Sequence, residues 1–330
     1  MTQHRMLELD ALRGIAAMAV VIYHLVYRYH EIYGHQGLPV YWSYFGQYGV
    51  QLFFMISGFV IYWTLDRVKQ PIEFVISRFS RLYPVFWASM LTTFVVLTLV
   101  QLPERTVTLS TAMQNLMMFH EYFSVDHVDG VYWTLTLELT FYTWVFLLLI
   151  GGRKHWATPL LILLVVANLG LQHVSTLPRW ALLLTLDGYA HFFLFGVALY
   201  DWQQQRKRPL AVLAMLFSVG LCLLGSNVLI SAIYIALIMV FFATLKGYLP
   251  FIGNSILVWL GAISYSLYLI HQNVGYAILY RMPDDVPAIV SVIVAIAAVT
   301  FLAYGLNRMI EVPSNQRLRK SLKRLLLSKT

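Results

Sequence analysis

A chain of 330 residues that is 59% hydrophobic and only 12% charged, with apolar runs of about 20 residues recurring from end to end, excludes a soluble fold and reads as a polytopic membrane protein. The formal net charge of +8 is spread over the loops between those runs, which argues against nucleic acid as a partner. The single cysteine, Cys222, sits inside the apolar run Leu210 to Leu224; it excludes an internal disulfide and reads as a small buried apolar side chain.

Counting apolar runs predicts an all-α protein of ten spans near 9–29, 47–65, 82–101, 131–150, 157–172, 180–200, 209–225, 228–245, 256–280 and 287–310. No soluble stretch is long enough for a second core, so residues 1–312 form one membrane domain, followed by a basic amphipathic cytoplasmic tail over 313–330. The basic start (His4, Arg5) and apolar first run mimic a signal peptide, but the run carries charge and lacks a small-residue cleavage site, so it is expected to be retained. With both termini in the cytoplasm, 19 of the 23 Lys and Arg residues fall on the inside, and only Arg28, Arg105, Arg179 and Arg281 fall outside. Arg5 and Lys329 belong to the inside set.

The first span, Leu9 to Tyr29, carries Asp10, Arg13 and His24 on one stripe with Gly14, Ala17 and Val21. At ~100° per residue, the eleven steps from Arg13 to His24 return to within ~20° of the same face, ~16 Å along the axis. Ionisable groups inside a span cost ~2.5 to 3.5 kcal/mol each and mark a function by default. This helix therefore walls a polar path. In the second span, Ser57 and Gly58 lie near the middle, where a small pair permits close packing or a hydroxyl facing that path. The third is entered through ISRFSRLYP, with Arg78 and Arg81 one turn apart at the inner surface, able to grip phosphates or to serve only as inside anchors.

The outer loop Gln101 to Gly130 holds His120, Glu121, Asp126, His127 and Asp129 in a spacing that matches no standard metal-ligand pattern, so no metal is expected. The fourth span opens with Trp133 and carries Glu138 about two turns in, at a depth comparable to His24, its candidate partner. Asp187 and His191, four apart in the sixth span, predict a buried hydrogen bond. Ser264, Tyr268 and His271 share a face of the ninth, and Arg308 and Glu311 predict an ion pair closing the tenth. The tail RLRKSLKRLLLSK suits either a helix on an anionic leaflet or a solvated charged end. There is no G-x-x-x-x-G-K loop, no G-x-S-x-G elbow and no evident internal repeat.

Taken in order, LDALRGIAAMAVVIYH, GVQLFFMISGF, RFSRLYP, YWTLTLELTFY, HFFLFGVAL, ISYSLYLIH and IEVP resemble the acyltransferase 3 family, the multi-span membrane O-acyltransferases that decorate bacterial surface glycans. The resemblance implies a multi-pass protein of the bacterial inner membrane. Its acyl donor would be acetyl-CoA or another acyl-CoA, its acceptor a glycan or lipid-linked sugar. His24 would be the essential histidine with Arg13 as companion, Arg78 and Arg81 with Arg13 would hold the acyl-CoA, and Glu138 would be the acidic residue after the Trp133 motif. Asp10, Ser57, Trp133, Ser264, Tyr268 and His271 would line the path. Some relatives append an extracytoplasmic esterase-like domain, which this chain is expected to lack.

The physical reading agrees. Acyl-CoA is made in the cytoplasm, so its phosphates would dock at the inner mouth while the pantetheine arm, comparable to the ~16 Å rise from Arg13 to His24, carries the thioester outward. His24 would then act as base toward a sugar hydroxyl or carry the acyl group itself, with Glu138 orienting it. The competing reading is a transporter or flippase for a glycan precursor or acyl group, in which the same residues serve a proton relay. A purely structural scaffold leaves Asp10, Arg13, His24, Glu138, Asp187, His191 and His271 without a role.

Overall fold

The computed structural model describes residues 6–174 and 176–327, and every regular element among the described residues is a helix. Arg5 and Lys329, counted in the topology argument, and His4 lie outside the described residues. The principal helices are α1 (Leu7–Ile22), α2 (Tyr29–Tyr33), α3 (Gly49–Leu65), α4 (Pro71–Val100), α5 (Leu109–Asn115), α6 (Trp133–Ile150) and α7 (Ala157–Leu171). After them come α8 (Arg179–Leu184), α9 (Ala190–Gln203), α10 (Arg208–Leu224), α11 (Val228–Leu245), α12 (Ser255–Tyr280), α13 (Ala288–Leu306) and α14 (Val312–Leu327).

Eight helical stretches among the described residues are long and apolar enough to cross a membrane. The seventh expected span is α10, of only 17 residues. The sixth is interrupted, because Leu186, Asp187 and Gly188 all adopt left-handed backbone, with φ of 63°, 46° and 84°. That run cannot continue an α-helix, so α8 stops and α9 restarts at Ala190. Asp187 consequently pairs with Arg179 at 2.9 Å, and the ring of His191 lies on Phe192, 4.0 Å between centroids, which replaces the expected Asp187–His191 bond.

Helix starts are fixed by side chains that satisfy N–H groups which a bilayer would leave bare. Asn227 accepts from the Ile230 N–H at 2.9 Å to begin α11. Asn254 accepts from Ile256 and Leu257 at 3.1 and 3.0 Å to begin α12. Helix α4 begins eleven residues before the expected start of the third span, so Arg78 and Arg81 lie within it instead of at its entrance. Pro84 sits inside the same helix and brings no N–H for the turn before it.

Two compact units divide the chain. The first comprises Met1–Arg13, Val50–Phe74 and Thr134–Val258; the second comprises Gly14–Gly49, Val75–Trp133 and Trp259–Thr330. In the first, α3 and α9 meet backbone to backbone: a Cβ at Gly58 would strike the Phe193 carbonyl, and one at Gly196 would strike Met55 and Phe59 main-chain atoms. Helices approach that closely only where a side chain is missing. Phe54, Phe193 and Phe141 stack beside the crossing, at 4.7 and 4.5 Å.

In the second unit, the chain end runs from α13 through a π turn, Asn307–Glu311, into α14 without a break at 312/313. Glu311 accepts from Ser266 at 2.6 Å and Asn307 at 2.9 Å, and Arg308 lies over the Tyr304 ring at 5.7 Å. The expected Arg308–Glu311 pair is thus exchanged for contacts that tie the last span to α12.

Candidate active site

Helix α1 does not run as an α-helix to its end. Tyr23–Arg28 form a π turn before α2 resumes. A π turn bonds i to i+5 and holds one residue more per turn, and such bulges concentrate at functional sites. Beyond Ile22 the chain therefore stops advancing by the α-helical angle, and the projected stripe no longer holds as drawn past Val21. Two contacts hold the widened turn. His35 binds the Leu25 carbonyl through Nε2 at 2.9 Å, and burial keeps that imidazole below its ordinary pKa. Gly275 of α12 faces Leu25 so closely that a Cβ there would collide with its methyl groups.

His24 is the second residue of this turn. Its Nδ1 lies 3.0 Å from the Val20 carbonyl and 3.1 Å from Nε2 of His271, which is fully buried on α12. The Nδ1 of His271 faces only carbonyl oxygens, Tyr268 at 2.9 Å and Leu267 at 3.2 Å. Two carbonyls require a donor, so the neutral His271 carries its proton on Nδ1 and presents a lone pair at Nε2. By the same rule His24 Nδ1–H is shared between Val20 and His271. The Nε2 of His24 is then the nitrogen with a lone pair, on a half-buried ring.

The other expected residues fall into two places. In the second unit, Ser264 turns its hydroxyl back to the Gly261 carbonyl at 2.8 Å, and Tyr268 donates to the Val131 carbonyl at 3.4 Å; both are buried on the helix that carries His271. Trp133 is half-buried at the start of α6. Arg78 and Arg81 are half-buried on α4, with Arg78 Nη2 3.2 Å from the Ser77 hydroxyl. In the first unit, Asp10 and Arg13 are half-buried on α1. Glu138 takes the hydroxyl of Ser57 at 3.4 Å and that of Tyr142, which donates to the same oxygen. Within its own unit, His24 finds a ring partner in His271.

Sequence reasoning missed three contributors. Tyr142 follows Glu138 by one helical turn, a spacing that could have exposed it; His35 and Gly275 left no signal, because a widened turn is invisible in composition. The loop histidines form a separate pair: His120 Nε2 meets His127 Nδ1 at 2.6 Å, and His127 Nε2 lies 3.5 Å from Glu121. Burial pushes His120 down to about 4. Among the described residues no group of three or more His, Cys, Asp or Glu side chains could hold a metal.

A set of membrane-length helices with a histidine presented from a widened turn defines a polytopic membrane protein with a candidate acid–base centre. The chain belongs to the acyltransferase 3 family, whose model, described as "Acyltransferase domain", matches residues 6–308. It is 28% identical over 197 residues to the exopolysaccharide production protein ExoZ of Rhizobium meliloti, covering 57% of this chain and 60% of that protein. It is 26% identical over 214 residues to nodulation protein 10 of Rhizobium leguminosarum, covering 57% of each. Against the peptidoglycan O-acetyltransferase OatA of Listeria monocytogenes it is 25% identical over 361 residues, covering 93% of this chain and 55% of the relative. The chain thus spans little more than half the length of the curated relatives it matches. No solved structure gives a significant match.

Proposed function

We propose that this protein is a membrane O-acyltransferase that moves an acyl group, acetyl before any other, from cytoplasmic acyl-CoA to a hydroxyl of a surface glycan or lipid-linked sugar, in the bacterial inner membrane with both termini cytoplasmic. The observation that carries the reading is the His24–His271 arrangement, which commits His24 Nδ1–H inward and leaves Nε2 as the basic nitrogen. His24 Nε2 takes the proton of the acceptor hydroxyl as its oxygen attacks the thioester carbonyl. The carbon–sulfur bond then breaks, and the departing thiolate of CoA recovers that proton from His24. While charged, the imidazolium keeps two acceptors, the Val20 carbonyl and the His271 lone pair. Arg78 and Arg81 bind the coenzyme phosphates as charge-assisted donors.

The tyrosine rings around His24 suit a sugar acceptor. Tyr23 packs on the His24 ring at 4.9 Å, Tyr27 on Tyr23 at 5.9 Å, and Tyr44 and Tyr41 on Tyr27 at 5.1 and 6.3 Å, giving a path of ring faces and hydroxyls that leads to the exposed Tyr41. The test is purified protein in detergent with labelled acetyl-CoA and candidate glycans. Label transferred to a glycan, without two compartments, is the expected result; movement of a glycan or acyl group across vesicles without any acylation would instead establish a carrier. Label transfer undiminished in Arg78→Ala and Arg81→Ala would return the two arginines to topology anchors.

A further inference from the structure

A polar concavity lies in the first unit, where α3 and α9 end and α7 begins, and acyl transfer at His24 makes no use of it. It encloses about 500 Å³ and is lined chiefly by Tyr62, Asp66, Lys154, Asp201, Arg206 and Lys207. Asp66, the first residue after α3, is its hub. One carboxylate oxygen accepts from the Tyr200 hydroxyl at 2.5 Å and from Arg206 at 3.0 Å, and the other lies 3.7 Å from Lys154. Lys207 donates to the His155 carbonyl at 3.4 Å and lies over the Trp156 ring at 5.8 Å.

The charges do not cancel. Burial raises Asp66, but the hydrogen bonds from Tyr200 and Arg206 outweigh it and hold the carboxyl below its ordinary value, so it is ionised. Asp201 is buried, bonded to the Thr158 hydroxyl at 2.9 Å, and pushed upward by that burial, which makes it a poor counter-charge. Three cationic side chains therefore face one committed carboxylate. Arg206 directs one N–H to Asp66 and keeps the rest of a planar fork suited to a phosphate. Backbone strain points the same way: Gln205 and Lys207, on either side of Arg206, both adopt left-handed conformations, with φ of 57° and 40°. Such residues cost on the order of 1 kcal/mol or more each and persist where a site over-determines them. Service as inside anchors would need the positive charges alone, and neither a cavity nor a carboxylate to aim them.

We propose that this pocket binds the phosphate of a ligand with a small polar body, on the side that the positive-inside rule assigns to the cytoplasm. The volume falls within the range of small-molecule pockets and exceeds a bare phosphate. Two sources share that chemistry, a soluble nucleotide such as CoA and an anionic lipid headgroup, and the proposal stands independently of acyl transfer. The test is equilibrium binding of pyrophosphate and CoA by calorimetry, and of phosphatidylglycerol against phosphatidylcholine by native mass spectrometry, to the full-length protein carrying Arg78→Ala and Arg81→Ala, so that the coenzyme site proposed at those arginines does not contribute. The variants are Arg206→Gln combined with Lys207→Gln, and Arg153→Gln as a neighbouring cation outside the pocket. At least one phosphate probe should bind, and bind ~10-fold more weakly in the double variant while the Arg153 variant stays within twofold. Loss confined to pyrophosphate and CoA identifies a soluble nucleotide; loss confined to phosphatidylglycerol identifies a headgroup. No phosphate binding, binding that survives the double variant within twofold, or an equal loss on Arg153→Gln would each overturn the proposal. An unchanged unfolding temperature in the double variant excludes misfolding as the cause.

Discussion

His24 meets His271 at 3.1 Å and His120 meets His127 at 2.6 Å, nitrogen to nitrogen within the second unit, yet the two pairs are finished in opposite ways. In the loop pair, the second nitrogen of His127 lies 3.5 Å from Glu121, and His120, only 1% exposed, keeps its remaining nitrogen, Nδ1, buried and without a hydrogen-bond partner among the described residues. In the helical pair the inner ring is anchored to carbonyls of its own helix, and the outer ring keeps one nitrogen uncommitted, among the described residues, on a half-buried face. What distinguishes a reactive histidine from a structural one here is whether the nitrogen left over can be reached: that of His120 is sealed in, whereas the ring of His24 is half-buried.

The largest expected effect tests that distinction directly. His24→Ala should lower acyl transfer by ~10²- to 10⁴-fold, the usual contribution of a positioned base, while His127→Ala leaves transfer within about threefold because it acts only on loop order. Radiolabel incorporation at matched protein levels reads both, and a reversed ranking breaks the comparison. His271→Ala comes next: with only the Val20 carbonyl left to hold Nδ1–H, transfer should fall ~10- to 100-fold, or about 1.4 to 2.7 kcal/mol. The loss should appear in kcat more than in KM. His271→Gln, whose amide oxygen can accept the same proton, should recover part of it; equal rates for the two variants would reduce His271 to packing.

Smaller effects separate the supports of the two pairs. Gly275→Val drives a side chain into Leu25 and should cost ~1 to 3 kcal/mol of stability, read from thermal unfolding, with a fall in transfer as the widened turn shifts. For the loop, burial sets His120 at about 4 against an ordinary 6.5. The unfolded loop therefore binds more protons than the folded one between those values, and its stability, complete above about pH 6.5, declines as pH falls toward 4. Between pH 7 and pH 5 the amides of residues 120–128 should lose roughly tenfold more exchange protection with His120 in place than in His120→Gln, a difference from which the other titrating groups cancel. His120→Gln should flatten that slope; Glu121, His127, Asp126 and Asp129 remain as the loop's other titrating groups. Asp129, which burial lifts to about 7, would add a slope of opposite sign.

The helical class was legible because a span of about 20 apolar residues has few other meanings, and the family because its motifs run through the whole chain in order. His24 was legible as an ionisable group on an apolar stripe. Its partner was not: Ser264, Tyr268 and His271 were recognised as one face, but joining His271 to His24 across 247 positions is a packing result. The break at Leu186–Gly188 hid in an apolar run, since three positive φ values leave no periodicity to count. Asp66 escaped for a different reason. The positive-inside rule reads Lys and Arg and ignores acids, so Lys154, Arg206 and Lys207 were scored for topology and the carboxylate that gathers two of them was not scored at all.

The widened turn at Tyr23–Arg28 also bears on how this chain can change in length. A π turn is a helix carrying one surplus residue, and the rings beyond it, Tyr29 and Tyr33, rest on Tyr276 and Tyr280 at 5.6 to 6.1 Å in the register that the surplus sets. Deleting one residue between His24 and Tyr29 would let the helix return to ordinary winding and free the Leu25 carbonyl from His35, while Tyr29 and Tyr33 keep facing their partners, because the surplus residue is what the widened turn absorbs. A one-residue deletion there is absorbed instead of propagated, so the segment is a point where the chain can lose a residue without re-aiming the rings beyond it.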